Sequence, residues 1–180
     1  MSELEERKIP KLDELITKED TTKINDIDKI TDKIYISGEE GALEFEKFLK
    51  ENINTVLSIT DSPPKYSEEL NINHKIMNFE DCLSQNIIPY IKECIEFIEN
   101  SNKILIHCSC GISRSPTIVI AYLIWKTHSS FNQVLNFVQS RRSSIEPSIG
   151  FIKQLKNFEK IIKKNGYDIQ NIDSKSINVK

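Results

Sequence analysis

A chain of 180 residues, 38% hydrophobic and 28% charged, is long enough to bury one sizeable core and too apolar for a disordered polymer. With 24 Lys and Arg against 27 Asp and Glu, the net charge is −3, which excludes a strongly basic nucleic-acid binder. No apolar run approaches a membrane span, and the opening MSELEERKIPKL is too charged for a signal peptide. Ser2 stands where N-myristoylation needs a glycine, so no membrane partner is expected. The four cysteines (Cys82, Cys94, Cys108, Cys110) read as free thiols in a reducing compartment, the cytoplasm or also the nucleus.

Residues 1–23 form a charged arm, with Lys11 to Thr17 the one stretch that suits a short helix. The first core strand is expected at Lys33 to Ser37, closed by Gly38. A helical pattern follows in which Leu43, Phe45, Phe48 and Leu49 line one face. Thr55 to Ile59 reads as a buried strand, ended by the turn chemistry of Asp61-Ser62-Pro63-Pro64. His74 to Phe79 reads as another strand. Ile87 to Ile98 is an amphipathic helix, with Ile88, Ile91, Ile95 and Ile98 at three- and four-residue steps. Lys103 to His107 is the strongest buried-strand signal, and Ser115 to Trp125 an apolar helix capped at Ser115 or the residue before it. Helices over Phe131 to Arg141 and Ile149 to Lys164 follow, with Gly166 as a stop. Residues 24–165 are thus one α/β domain, and 166–180 a mobile tail. Cys94 and Trp125 are expected in the core, and His74 and His128 in packing or surface roles.

The chemistry concentrates in His107-Cys108-Ser109-Cys110-Gly111-Ile112-Ser113-Arg114-Ser115. A buried strand delivers Cys108, a short loop follows, and a helix starts at its far side. That arrangement makes an anion site, because unpaired helix N–H groups and the helix dipole both point at the loop. Gly111 permits a backbone conformation that a side chain resists, and small Ser109 and Ser113 leave the amides free to turn inward as a nest. Arg114 adds a planar fork of donors that suits two oxygens of a tetrahedral oxyanion. A thiolate at the floor of such a cradle is held by the same amides, dipole and guanidinium, and by the Ser115 hydroxyl.

His, Cys, five residues, Arg and Ser resemble the signature of the protein tyrosine phosphatases, and HCSCGISRS is most similar to the small, atypical dual-specificity branch. The resemblance extends over Ile24 to Ile162. KIYISGEEGALEFEKFLKENINTVLSIT resembles that branch's opening strand, helix and second strand, and AYLIWKTHSSFNQVLNFVQSRR and GFIKQLKNFEK its closing helices. It implies the cysteine-phosphatase fold, a mixed central sheet with helices on both faces. By the same resemblance Cys108 would attack phosphorus to form a phosphocysteine. Arg114 and the amides of Ser109, Cys110, Gly111, Ile112, Ser113 and Arg114 would hold the equatorial oxygens. Ser115 would stabilise the departing thiolate, and His107 would orient the loop from behind. Asp81, in Phe79-Glu80-Asp81-Cys82-Leu83, stands where the family has its general acid, with Glu80 as rival. Arg142 is either a solvated helix end or, by family position, a border of the pocket that holds a second anionic group.

The implied activity is hydrolysis of phosphotyrosine and phosphoserine/threonine in phosphoprotein substrates, with no cofactor and no metal. Departures from the family pattern are Cys110, where Ala is common, and Ser148 in Pro147-Ser148-Ile149-Gly150-Phe151, where Asn is usual. Cys110 and Cys82 are candidate redox partners of Cys108. The alternatives are a phosphate-binding pseudophosphatase scaffold and a lipid or RNA 5′-phosphatase. The latter two are disfavoured because the loop has no cation besides Arg114 and has Ser, not Thr, at position 115. Substrate identity and oligomeric state are not encoded in these patterns.

Overall fold

A computed structural model describes residues 8–17 and 26–172. Five strands, β1 (Asp28–Lys29), β2 (Ile34–Ser37), β3 (Thr55–Ile59), β4 (Asn73–Met77) and β5 (Ile104–His107), form one mixed sheet in the order β1-β2-β5-β3-β4. β1 pairs antiparallel with β2, while β2, β5, β3 and β4 run parallel to one another. The helices are α1 (Glu39–Leu43), α2 (Phe45–Lys50), α3 (Ile88–Glu99), α4 (Arg114–Thr127), α5 (Phe131–Arg141) and α6 (Ile149–Lys164).

The period of two along each central strand sorts the core into two layers. Ile34, Ile36, Leu57, Ile59, Ile104 and Ile106 face one way, into a cluster shared with Ile91 and Ile95 of α3, the apolar α4, Val134 of α5 and Phe158 of α6. Tyr35, Val56 and Leu105 face the other way, against Ala42 and Phe48 of α1 and α2. Every residue of β2, β3 and β5 is buried, as near-continuous apolar runs require of strands covered on both faces. Because β5, β3 and β4 run parallel, the loops after β5 and β4 leave the same end of the sheet, the standard place for a site in such sheets.

Four expectations need correction. The single helix after Gly38 is two short ones, broken at Glu44 (φ −84°, ψ 48°); Leu43 is exposed, so the four apolar residues do not share one face. The charged arm docks in part: Leu12 and Leu15 pack against the core, and Thr17 donates twice to the Asp32 carboxylate, at 2.9 and 2.7 Å. Within the expected helix Lys11 to Thr17, only a 3₁₀ turn forms at Asp13–Leu15. The start of the mobile tail is also packed: Ile169 is buried, and the Tyr167 ring stacks on His128 at 3.5 Å. Residues 1–7, 18–25 and 173–180 of those terminal segments lie outside the described residues.

Candidate active site

The loop between β5 and α4 wraps around the Cys108 sulfur, which accepts from the Gly111 amide at 3.2 Å and from the Ser115 hydroxyl at 3.3 Å. Ser115 was expected as a possible helix cap. It lies instead in the first turn of α4, and its hydroxyl serves the sulfur, not a backbone amide. Ser113 is the N-cap residue but makes no side-chain cap; its hydroxyl accepts from the Ser148 amide at 3.1 Å. The first amides of a 14-residue helix are therefore left uncapped and aimed at the loop, the arrangement that attracts anions.

The carbonyls decide which way the loop amides point. Each one from Cys108 to Ser113 accepts a hydrogen bond from a protein donor. The Cys108 carbonyl accepts from His107 Nδ1 at 3.4 Å, and the Ser109 carbonyl from the Glu39 amide at 2.9 Å. Those of Cys110 and Gly111 accept from Arg142, at 3.3 and 3.0 Å. The Ile112 carbonyl accepts from the Glu146 amide at 2.8 Å, and the Ser113 carbonyl from Thr117 Oγ1 at 2.7 Å. A trans peptide points its N–H opposite to its C=O, so six anchored carbonyls leave the loop amides facing the other way. Among the described residues, the amides of Ser109, Cys110, Ile112 and Ser113 have no protein acceptor. Such a row of inward amides is a nest for an anion.

Gly111 is required at its position. Its φ is +66°, and a Cβ there would stand 2.5 Å from the Ser37 carbonyl oxygen and 2.6 Å from Arg142 Nη2. The Arg114 guanidinium is poised over the loop: Nη2 donates to Ser109 Oγ at 2.7 Å, while buried Nε has no protein partner. An unpaired buried donor is costly, and an oxyanion in the cradle is a natural acceptor for it.

Arg142 differs from both roles considered for it. It is only 5% exposed, and Nη1 and Nη2 pair with Asp28 and Asp26 at 2.7 and 2.8 Å while Nε holds the Gly111 carbonyl. Nη1 also donates to the Asp26 carbonyl at 2.9 Å. All its donors are engaged behind the loop, so it is neither a solvated helix end nor a substrate contact. It clamps the cradle to β1. Asp26 also accepts from the Gly38 amide at 2.6 Å.

The loop after β4 carries the acid candidates. Asp81 is exposed, with no protein partner among the described residues. Glu80 is tied down, its amide to Gln85 Oε1 at 2.9 Å and its carboxylate within 4.0 Å of the Cys82 thiol. Buried Gln154 of α6 fastens this loop, accepting from the Ile87 amide and donating to the Gln85 carbonyl, both at 2.8 Å. Gly150 packs so closely on Leu83 that a Cβ would lie 3.2 Å from its carbonyl oxygen. The amino end of α6 thus braces both loops, through Ser148 on one side and Gly150 and Gln154 on the other. Ser148, in place of the family's Asn, contributes only its amide; its hydroxyl is buried without a partner.

His107 sits behind the cradle, fully buried, and burial, followed by the neighbouring His74 ring and the Arg114 cation, depresses its pKa to about 4 against the raising effect of its contact with the Cys108 carbonyl. Its Nε2 lies 2.6 Å from Ser58 Oγ, which lies 2.7 Å from His74 Nε2. Sequence reasoning gave Ser58, Asp26, Asp28 and Gln154 no role, and His74 only a packing or surface one. Their partners lie 49, 116, 114 and 67–69 residues away, and no local pattern marks such pairs. All four cysteines are unpaired. Cys110 is exposed on the rim and Cys82 partly exposed, while the Cys94 thiol is buried in the core and pushed up to about 12.

A sheet with this order, a thiol at the floor of an inward-amide loop and an arginine above it define a cysteine-based phosphatase scaffold. The chain belongs to the dual specificity phosphatase family: the model of that family's catalytic domain matches residues 34–161. It is 35% identical over 143 residues to a probable dual specificity protein phosphatase of Dictyostelium discoideum, covering 78% of this chain and 66% of that one. It is 34% identical over 140 residues to human dual specificity protein phosphatase 22, covering 76% and 75%. The crystal structure of DUSP15 matches with a TM-score of 0.72 at 28% identity, covering 78% of this chain and 92% of that one. Other relatives are longer: the chain spans 36% of human dual specificity protein phosphatase 9 and 16% of a leucine-rich-repeat MAP kinase phosphatase of Dictyostelium discoideum.

Proposed function

We propose that the chain hydrolyses phosphotyrosine and phosphoserine/threonine in phosphoproteins, without a metal, through a phosphocysteine intermediate. The observation that carries this is the outward anchoring of six consecutive loop carbonyls around a sulfur that already accepts two hydrogen bonds. Cys108 Sγ attacks phosphorus; the loop amides and the free Nε of Arg114 hold the equatorial oxygens as charge shifts onto them. Asp81 protonates the leaving oxygen, then deprotonates the water that releases phosphate from sulfur. Ser115 donates to the sulfur as it leaves as thiolate. Partly exposed and exposed free thiols at Cys82 and Cys110 suit a reducing compartment, and the cytoplasm or nucleus is the proposed location.

The test is hydrolysis of para-nitrophenyl phosphate across pH with chelator and thiol reductant present. Turnover that survives chelator and vanishes in Cys108→Ser supports the reading; an inert, folded wild type rejects it. Asp81→Asn separates the acid: phosphoserine peptide, whose alkoxide leaves poorly, should slow far more than the nitrophenyl ester. Equal rates for Asp81→Asn and wild type on that peptide would remove Asp81 from the mechanism.

A further inference from the structure

Strand register sets three polar side chains in a row beneath the cradle. Ser58 of β3 lies directly across from His107 of β5, and His74 of β4 pairs with Val56, two residues before Ser58. Val56 and Leu105 share the layer under α1 and α2, so the period of two puts Ser58 and His107 in the same layer.

Proton bookkeeping gives this row a direction. A carbonyl oxygen only accepts, so the contact between His107 Nδ1 and the Cys108 carbonyl places the ring hydrogen on Nδ1. A neutral ring with hydrogen on Nδ1 has a bare Nε2, which accepts from the Ser58 hydroxyl at 2.6 Å. The one Ser58 proton is then engaged, and its oxygen must accept from His74 Nε2–H at 2.7 Å. The chain of donors therefore runs from His74 through Ser58 and His107 to the Cys108 carbonyl. His74 donates through Nε2 whether neutral or protonated. Its ring is held by the edge of Tyr66 at 5.0 Å, and Tyr66 is fixed by its hydroxyl on the Ala42 carbonyl at 2.7 Å.

We propose that His74 is a positioning residue for catalysis, acting through Ser58 and His107 to keep the Cys108 carbonyl turned out of the cradle. This rests on the phosphatase reading above. With the donor at His74 removed, the Ser58 proton is free to turn elsewhere and the hydrogen of His107 is free to move to Nε2. The Cys108 carbonyl then loses its partner, and the peptide that sets the direction of the Ser109 amide loosens.

The experiment combines turnover with the imidazole ¹⁵N shifts of His107, which distinguish a hydrogen on Nδ1 from one on Nε2. Wild type should show the Nδ1–H form at neutral pH. His74→Phe should mix the two forms and lower kcat by about fivefold, the scale of one net hydrogen bond, with KM little changed. His74→Gln, which keeps an N–H donor, should restore both readouts. Ser58→Ala should reproduce the His74→Phe phenotype, and the double variant should add nothing to it. Should the phenylalanine variant fold poorly, Ser58→Ala against His74→Gln makes the same comparison. An active wild type whose His107 carries its hydrogen on Nε2, or whose variants leave tautomer and kcat untouched, overturns the positioning role alone. An inert wild type overturns the phosphatase reading, and the positioning role with it.

Discussion

Replacing Arg142 with Gln removes a cation that is 5% exposed and tied to Asp26, Asp28 and the Cys110 and Gly111 carbonyls. Taking one partner from a buried ion pair costs about 3–5 kcal/mol, because the other charge is left behind. Here the stranded carboxylates are 31% and 19% exposed and water reaches them, which lowers the expected loss to about 2–4 kcal/mol. For a chain of this size that corresponds to a fall in Tm of roughly 4–16 °C. A thermal melt followed by Trp125 fluorescence reads it directly. Turnover should drop at least about tenfold even well below the melt, since two loop carbonyls lose their donor and the amides behind them lose their aim. A variant that melts within about 2 °C of wild type and turns over normally would refute the clamp. A variant with unchanged stability and a raised KM for a doubly phosphorylated peptide would instead return Arg142 to the substrate-contact role that the sequence allowed.

Gly111→Ala should abolish activity while secondary structure survives, because its Cβ meets the Ser37 carbonyl and the left-handed φ is lost together; circular dichroism beside a rate assay checks both. Ser115→Ala should slow breakdown of the phosphocysteine about 10- to 100-fold, the range for a hydrogen bond to a charged group, and a pre-steady-state burst should appear. Stability should fall with acid. His107 is neutral in the fold, with a pKa near 4 against 6.5 unfolded, so the unfolded chain binds the extra proton as pH drops from 6.5 through 4. That amounts to about 2 kcal/mol lost between pH 7 and 5, and urea midpoints should show a shallower slope for His107→Gln. The depressed pKa values of His74, Asp32 and Glu99 act in the same direction, so a profile rising toward pH 5 would contradict the assignment.

Local signals were strong wherever one element carried the whole message. Thr55–Ile59, Phe131–Arg141 and Ile149–Lys164 were legible to the residue, because burial on both faces or an amphipathic period marks each within its own span. The cradle was legible for the same reason: strand, Gly111, Arg114 and helix start are contiguous. The two-residue β1 was invisible, since Asp28 and Lys29 carry no strand propensity and pair only because β2 presents an open edge. Arg142 was misread because its charge suggested solvent or anion, and nothing near it in sequence announces Asp26 or Asp28. His74 was read as a packing or surface residue because a lone histidine in a strand usually is; the role proposed for it depends on sheet register between β3, β4 and β5.

The Arg142 clamp joins residues 116 positions apart, and its far end is the edge of the sheet. Two residues of antiparallel pairing are among the cheapest parts of a domain to open, so β1 should fray long before the core lets go. Each opening draws Asp26 and Asp28 away from the arginine that restrains the catalytic peptides. Catalytic rate is therefore tied to the pairing of a two-residue strand at the edge of the sheet. Warming or mild urea should idle this protein while its helices, its core and its spectroscopic signature remain those of the native state.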